Sequence, residues 1–188
     1  VFQYLKATRD RGLKYVLPAE PPSTSLPLTL HAYVDADFAG DHRSSRSTTG
    51  AVISVNQHIV HWISKQQPYV TTSSCAAEFV AMSVTELDVC FFVELLKSIG
   101  FNPGVPTLSN DNEAAVHIVT NLDTSHDRMR SVRVAQHRVK DEFAAGRLKV
   151  EWIRGEHNLA DVFTKALVQD KFWTFRDRLV HRLDPAPD

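Results

Sequence analysis

One stretch limits the folds available to this chain more than any other: residues 31–41, with the sequence HAYVDADFAGD. Around its start two sets of side chains alternate, with Leu30, Ala32 and Val34 on one side and His31, Tyr33 and Asp35 on the other. A period of two predicts a half-buried β-strand. The strand brings Asp35 and Asp37 to its end, where an acidic group is costly unless a cation lies beside it. We therefore expect other parts of the chain to bring further carboxylates to this strand end.

The remaining pattern predicts an α/β domain built on one mixed sheet. The length of 188 residues and the hydrophobic content of 43% suit one domain with extensions. The chain is predicted to begin with an amphipathic helix within 1–16 that ends near Gly12, a linker at 18–27 rich in Pro and Ser, the opening strand, and a hairpin that turns at 56–58. A long helix at 73–100 follows, with apolar positions 76, 80, 84, 87, 91 and 95. The remaining predicted elements are a strand at 105–111, a short helix, a basic helix at 126–142, a strand after Gly146, a helix that carries Asp161, and a helix at 171–183. We expect the long helix to be buried on more than one side. Three meandering strands followed by alternating strands and helices favour a mixed sheet covered by helices.

The overall charge and the cysteines narrow the classes of function. The formal net charge is −1, so a nucleic-acid partner would have to bind a local basic patch. Cys75 and Cys90 fall on one predicted helix, roughly 22 Å apart, which is too far for a disulfide and favours a reducing compartment. No apolar run approaches the roughly 20 residues of a membrane span, and no signal peptide is present. Because the chain begins with Val1, we expect it to be a fragment of a longer protein.

Four acidic residues lie where fold stability explains them poorly: Asp35, Glu78, Asp111 and Asp161. Two follow predicted strands and two lie near helix starts, and sites in open sheets form beyond the strand ends. Four converging carboxylates repel each other unless divalent cations neutralise them, and hard oxygen ligands select Mg²⁺ or Mn²⁺. Taken singly, each residue has another explanation, as a turn residue, a helix-dipole partner or a helix N-cap. Their joint placement favours a metal-dependent nuclease, in which two ions about 3.5–4 Å apart cleave a phosphodiester.

Several motifs connect this hypothesis to a family. The sequences YVDADFAGDHRSSRSTTG, HWISKQQ, TTSSCAAEF, LSNDNEAAV and LADVFTKAL, in this order and spacing, resemble the ribonuclease H domain of copia-type (Pseudoviridae) LTR-retrotransposon polyproteins. The opening YLKATRDRGLKY is similar to the end of the reverse transcriptase region that precedes this domain. The resemblance implies a ribonuclease H-like fold, with a five-stranded mixed sheet in the order 3-2-1-4-5 flanked by helices. It also implies three segments: 1–27 as the end of the reverse transcriptase or connection segment with its linker, 28–166 as the ribonuclease H domain, and 167–188 as a C-terminal helix and tail.

The resemblance implies an endonuclease that hydrolyses the RNA strand of RNA–DNA hybrids during retrotransposon reverse transcription. It would use two Mg²⁺ ions, for which Mn²⁺ substitutes. By the matching motifs, Asp35 would bridge both ions, and Glu78 and Asp111 would bind the ion near the leaving group. Asp161 would hold the ion that activates water. Asp37 shares the side-chain parity of Asp35, and we place it beyond the strand end, as a turn residue or a neighbour of the ligands.

The implied partners are an RNA–DNA hybrid and the reverse transcriptase domain of the same polyprotein, with no membrane. The implied location is inside the cell, in a cytoplasmic virus-like particle or the nucleus. Phosphate contacts and recognition of the 2′-hydroxyl in a minor groove need cationic and polar side chains. The candidates for these contacts are Arg43, Arg46, Asn112, Arg128, Arg130, Arg133 and His137.

These substrate contacts have simpler alternatives. The arginines of 126–142 also suit a solvated helix face, and Asn112 also suits the start of a helix. His157, in the loop before Asp161, is expected either to assist product release or to be a surface residue.

Two other functions compete with an active ribonuclease H. The first is an inactive or domesticated ribonuclease H-like module that binds nucleic acid or supports the polymerase domain. Loss of a carboxylate would favour it, and all four are present. The second is an integrase of the same fold superfamily, against which the LADVFTK match argues because integrases use three acids in another order.

Overall fold

The computed structural model describes residues 1–16, 28–121 and 133–182, except for the side chains of 133–137. Its elements are α1 (Phe2–Ala7), β1 (Arg11–Gly12), β2 (Leu30–Asp37), β3 (Thr48–Val55), β4 (His58–Gln66), α2 (Ser74–Ser98), β5 (Thr107–Asn110), α3 (Glu113–Thr120), α4 (Arg133–Ala144), β6 (Lys149–Trp152), α5 (Asp161–Thr164), α6 (Gln169–Leu179) and β7 (His181–Arg182). The main sheet has five strands in the order β4-β3-β2-β5-β6. Neighbouring strands among β2, β3 and β4 are antiparallel, and β5 and β6 continue the sheet parallel to β2. Counted in chain order this is 3-2-1-4-5, which confirms the predicted mixed sheet.

Helices cover both faces of this sheet. On one face, Ala32 and Val34 of β2 are fully buried against Phe79 and Met82 of α2. Burial of this apolar surface is the main stabilising contribution to such a layered fold. A second cluster covers the opposite face and contains Val52, Leu159, Phe175 and Leu179. The central strand β2 is therefore enclosed on both sides, and its C-terminal end opens into the space between α2 and α5.

The hairpin between β3 and β4 turns on two residues. Asn56 and Gln57 have φ values of +48° and +68°, the left-handed conformation that a tight hairpin turn with the favoured twist requires. The Asn56 N–H donates to the Thr29 carbonyl at 2.8 Å, which ties the turn to the start of β2. The predicted hairpin is confirmed, although His58 belongs to β4 rather than to the turn.

The long helix α2 has the ends that the sequence predicted. Ser73 is its N-cap, and the Ser73 side chain accepts a hydrogen bond from the Ala76 N–H at 3.1 Å. Gly100 follows the last turn at φ +88°, a conformation that glycine adopts without strain, and its N–H donates to the Lys97 carbonyl at 3.0 Å. These caps fix the register of the helix, and with it the position of Glu78 in the second turn.

The apolar periodicity of α2 marks its buried face only in the first half. Residues 76–82 are all buried, which confirms burial on more than one side there. The apolar positions 84, 87, 91 and 95 are exposed, however, and the residues that face the interior are Thr85, Glu86 and Val89. The helix α4 packs on that side. Apolar residues occupy more than one face of α2, and periodicity alone could not tell which face a later helix covers.

The first helix is shorter than predicted. α1 ends at Ala7, not near Gly12, because Arg11–Gly12 forms β1 and pairs antiparallel with β7 near the opposite end of the described chain. No residue of α1 is buried, so its predicted apolar side does not join the core. Its Tyr4 ring contacts the Phe172 ring of α6, with 5.9 Å between the centroids.

Two predicted segments lie outside the described residues: the linker at 18–27 and residues 126–132 of the basic helix. The division into 1–27, 28–166 and 167–188 therefore stays a prediction. Cys75 and Cys90 are free thiols on α2, as the pattern predicted. In the described part of the chain, no helix combines the length and the apolar character that crossing a membrane requires.

Candidate metal centre

The strand β2 continues further than the sequence predicted. Its pairing with β3 extends to Asp37 opposite Thr48, so Asp37 lies within the strand and not beyond its end. The prediction failed because the ladder partners of β3 stay in register up to that point. Asp35 is 2% exposed, whereas Asp37 is partly exposed and the loop folds back on it: a Cβ at Gly40 would lie 2.0 Å from Asp37 Oδ2. Asp35, not Asp37, points into the enclosed space.

Three of the four predicted carboxylates converge there. Asp35 lies on β2, Asp111 directly follows the adjacent parallel strand β5, and Glu78 comes from α2 above them. One oxygen from each lies within 4.8 Å of the others. Asp161, at the start of α5, is 1% exposed and does not belong to this group of three. The convergence follows from topology, because the C-terminal ends of neighbouring parallel strands meet at one edge.

Two buried asparagines position these carboxylates. The Asn110 Nδ2 donates to Glu78 Oε2 at 2.7 Å and to the Val34 carbonyl at 3.1 Å. The Asn158 Nδ2 donates to Asp111 Oδ1 at 3.2 Å and to the same Val34 carbonyl at 2.8 Å. Each amide group thus ties one carboxylate to the backbone of β2. Neither asparagine was predicted from the sequence, although Asn110 directly precedes Asp111 and Asn158 lies three residues before Asp161.

Two lysines, also missed, contact Asp161. The Lys165 Nζ lies 2.8 Å from Asp161 Oδ1 and 3.4 Å from Asp35 Oδ2, so it bridges the two carboxylates. The Lys171 Nζ contacts Asp161 Oδ2. The spacing of four residues between Asp161 and Lys165 puts both on one side of a helical turn, which the sequence could have revealed.

The enclosed carboxylates are unfavourable as free anions. Burial raises the pKa of Asp35 to about 6, and the charges of Asp161 and Asp111 act in the same direction, against the hydrogen bond from Thr164 and the charge of Lys165. Burial and the charge of Asp35 also raise the pKa of Glu78 well above its ordinary value. The site therefore holds more negative charge than its own lysine and hydrogen bonds stabilise.

The donor set fits a hard divalent cation. Asp35, Glu78 and Asp111 offer only carboxylate oxygens, the ligands of Mg²⁺ and Mn²⁺ rather than of zinc or copper. The buried Asp161 Oδ1 lies 2.8 Å from the Lys165 ammonium, so a cation already accompanies this carboxylate. No such cation contacts Glu78 or Asp111 among the described residues. The residues present therefore fit the divalent cation, Mg²⁺ or Mn²⁺, that the sequence predicted.

A second group of metal-capable side chains among the described residues shows the contrast: Glu86, Cys90 and Glu142. Arg138 donates to the buried Glu86, and Arg147 pairs with Glu142 at 2.8 Å, so arginines already supply the positive charge. Burial and the hydrogen bond to Glu86 raise the pKa of Cys90 to about 12. A protonated thiol does not bind metal, and this group is explained by its ion pairs.

The predicted substrate contacts fall into three groups. Arg43 and Arg46 are exposed in the loop between β2 and β3, which Asp41 organises by accepting hydrogen bonds from the Ser44 hydroxyl and the Gln66 amide, both at 2.6 Å. Arg128 and Arg130 lie outside the described residues, and of Arg133 and His137 only the backbone position in α4 is described. Asn112 is the N-cap of α3, and its side chain accepts the Ala115 N–H at 3.0 Å. All of these contacts stay predictions.

The loop that carries His157 touches the centre. A Cβ at Gly155 would lie 2.9 Å from Asp111 Oδ2, so a larger residue there would displace that carboxylate. The His157 side chain is exposed, with its Nε2 3.6 Å from Glu156 Oε1. It thus lies near the site without contacting a ligand residue in the described structure, and its role in product release stays a prediction.

Comparison with known proteins finds homologues of this chain. No protein-family model matches the sequence. The chain is 32% identical over 161 residues to the retrovirus-related Pol polyprotein from transposon RE1 of Arabidopsis thaliana, a match that covers 85% of this chain and 11% of the relative. It is 30% identical over 180 residues to the corresponding polyprotein from transposon RE2, covering 95% of this chain and 12% of the relative. The chain is therefore homologous to retrovirus-related Pol polyproteins of plant transposons. It spans about a tenth of the length of these relatives.

A solved structure has a similar fold. LC11-RNase H1, in complex with an RNA/DNA hybrid, matches with a TM-score of 0.54 and 16% identity, over 73% of this chain and 93% of that one. At such low identity the match establishes the fold alone. The chain therefore has a ribonuclease H-like fold, and the predicted resemblance to retrotransposon polyproteins and the predicted fold are confirmed.

Proposed function

We propose that this chain is a metal-dependent endonuclease that hydrolyses the RNA strand of RNA–DNA hybrids during retrotransposon reverse transcription. The observation that carries the proposal is the convergence of Asp35, Glu78 and Asp111, with one oxygen of each within 4.8 Å of the others, at the end of two adjacent strands. The fold match to an enzyme in complex with an RNA/DNA hybrid supports the class of substrate. The Pol relatives support the setting within a retrotransposon.

The carboxylates would divide between two ions. Asp35, Glu78 and Asp111 would hold one, and Asp35 and Asp161 would hold the other. When bound, such ions activate a water and stabilise the leaving oxygen of a phosphodiester. The protein keeps its ligands in place before any ion arrives, because Asn110 and Asn158 tie two of them to the Val34 carbonyl. Ligands fixed by outer hydrogen bonds need little reorganisation on binding.

The substrate and its partner domain follow from the same proposal. Arg43 and Arg46 are exposed beside the end of β2, where they would contact phosphates of the hybrid. The reverse transcriptase domain of the same polyprotein would deliver the hybrid. The corresponding location is intracellular, in a cytoplasmic virus-like particle or the nucleus.

The test is cleavage of a labelled RNA–DNA hybrid by the purified chain with Mg²⁺, with Mn²⁺ and with a chelator. We expect cleavage of the RNA strand in the presence of either metal and none with the chelator. Asp111→Asn should abolish cleavage, whereas Asp141→Asn, the same change at an exposed position of α4, should leave it intact. Absence of cleavage in both metals would favour the alternative, an inactive module that binds nucleic acid.

A further inference from the structure

The lysine that bridges Asp35 and Asp161 occupies the place between two carboxylates that a second ion would need. We propose that the Lys165 ammonium is a displaceable internal cation, which holds Asp35 and Asp161 together in the metal-free protein and has to leave before a divalent ion binds between them. The inference rests on the proposed metal-dependent function and assigns a positioning role to Lys165.

Charge and burial support this role. Asp35 and Asp161 are 2% and 1% exposed, so their mutual repulsion is weakly screened by water. The Lys165 Nζ contacts both, at 3.4 Å and 2.8 Å. A monovalent cation between two buried anions reduces their repulsion without neutralising both, and a divalent ion in the same place would be favoured once it is available.

The side chain of Lys165 borders solvent. It is 38% exposed, whereas the two carboxylates are almost fully enclosed, so the ammonium can move outward into water while the acids stay in place. Lysine suits this exchange because its charge sits on a flexible four-carbon chain and needs no fixed hydrogen-bond geometry.

The two ion positions are therefore unequal. Glu78 and Asp111 accept side-chain hydrogen bonds from the neutral amides of Asn110 and Asn158. In the described part of the chain no cation contacts Glu78 or Asp111, so an ion among Asp35, Glu78 and Asp111 competes with Lys165 at Asp35 only. An ion between Asp35 and Asp161 competes with Lys165 at both carboxylates. We expect the first position to fill at lower metal concentration than the second.

A neighbouring lysine provides the matched control. Lys171 also contacts Asp161, but through Oδ2, and its ammonium lies 5.2 Å from the centroid of the Phe175 ring. No contact between Lys171 and Asp35 occurs among the described residues. Removal of Lys171 changes the net charge next to Asp161 as much as removal of Lys165 does, but leaves the bridge between the carboxylates intact.

The experiment is calorimetric titration of the purified chain with Mn²⁺ and no nucleic acid, on the wild type and on Lys165→Met, Lys171→Met, Lys165→Arg and Lys149→Met. Lys149 is exposed at the start of β6, at the other end of the sheet. If the wild type shows two Mn²⁺-binding events, we expect Lys165→Met to strengthen the weaker one about tenfold. If the wild type shows a single binding event, Lys165→Met should add a second. Lys171→Met should give a smaller change, and Lys149→Met should behave like the wild type. Lys165→Arg keeps the positive charge, so it should not strengthen the weaker event.

Thermal unfolding supplies a second readout. Without metal, Lys165→Met should have a lower Tm than the wild type, and saturating Mn²⁺ should remove the difference. The inference is overturned if Lys165→Met binds Mn²⁺ no more tightly than the wild type, or if Lys171→Met matches it. Because the titration contains no hybrid, the expected binding pattern together with absent cleavage would refute the proposed activity and leave the role of Lys165 standing.

Discussion

The substitution Asp35→Asn should stabilise the metal-free protein while destroying its proposed metal site. The pKa of Asp35 is about 6 in the folded protein, against 3.8 as its ordinary value. The folded state therefore binds the proton more tightly than the unfolded state, and stability falls as pH rises from about 4 through 6. At about 1.4 kcal/mol for each unit of pKa, ionised Asp35 lowers the free energy of unfolding by about 3 kcal/mol at pH 8.

Asparagine is the neutral counterpart of the protonated acid, so it avoids this penalty. In chelator at pH 8, we expect Asp35→Asn to be more stable than the wild type by about 3 kcal/mol, and by only about 1 kcal/mol at pH 4.5. Urea denaturation followed by tryptophan fluorescence measures both. Saturating Mg²⁺ should stabilise the wild type and not the variant, because binding to the folded state alone adds to its stability.

Asp41 provides a control, because the same Asp→Asn change there should alter stability at pH 8 in the opposite direction. Asp41 is partly exposed, and hydrogen bonds from the Ser44 hydroxyl, the Arg43 N–H and the Gln66 amide lower its pKa. Its stabilising contribution is present at neutral pH and is lost as pH falls, so Asp41→Asn should destabilise the protein at pH 8. If Asp35→Asn proves no more stable than the wild type at pH 8 in chelator, the reasoning about the enclosed carboxylate is wrong.

Two further predictions concern the support of the site. Asn158→Ala should weaken Mg²⁺ affinity by roughly 10–100-fold, because Asp111 loses the amide that fixes it to β2; calorimetry measures this, and unchanged affinity would remove the positioning role. Gly50→Ala should lower the free energy of unfolding by about 1–3 kcal/mol, because the new methyl group would lie 2.5 Å from Thr164 Cγ2 and push α5 away from β3. Chemical denaturation checks this, and an unchanged unfolding midpoint would mean that α5 does not pack so closely on the strand.

The local patterns of the sequence were sufficient for the sheet and its main helix. The alternation around residues 30–35 predicted β2, and Ser73 and Gly100 marked the two ends of α2. These features depend on neighbours in the chain. The placement of acids at strand ends and helix starts was likewise enough to select Asp35, Glu78, Asp111 and Asp161 as candidates.

Features that depend on contacts between distant residues were beyond the sequence. Arg11–Gly12 pairs with His181–Arg182, so no local pattern could have ended the first helix early. The exposed half of α2 depended on where α4 packs. Proximity in sequence could mark Asn110 and Lys165 as neighbours of the site, but their contacts with Glu78 and Asp35 arise only when other elements pack against them.

The most direct test of the central claim is the position of bound metal. Crystals of the chain soaked in Mn²⁺ would show the ion by its anomalous scattering. We predict an ion bound by Asp35, Glu78 and Asp111, and a second between Asp35 and Asp161 at higher concentration, with Lys165 turned outward. An ion held by Asp37 and not by Asp35, or no ion at these strand ends, would contradict the assignment of this cluster as the metal centre.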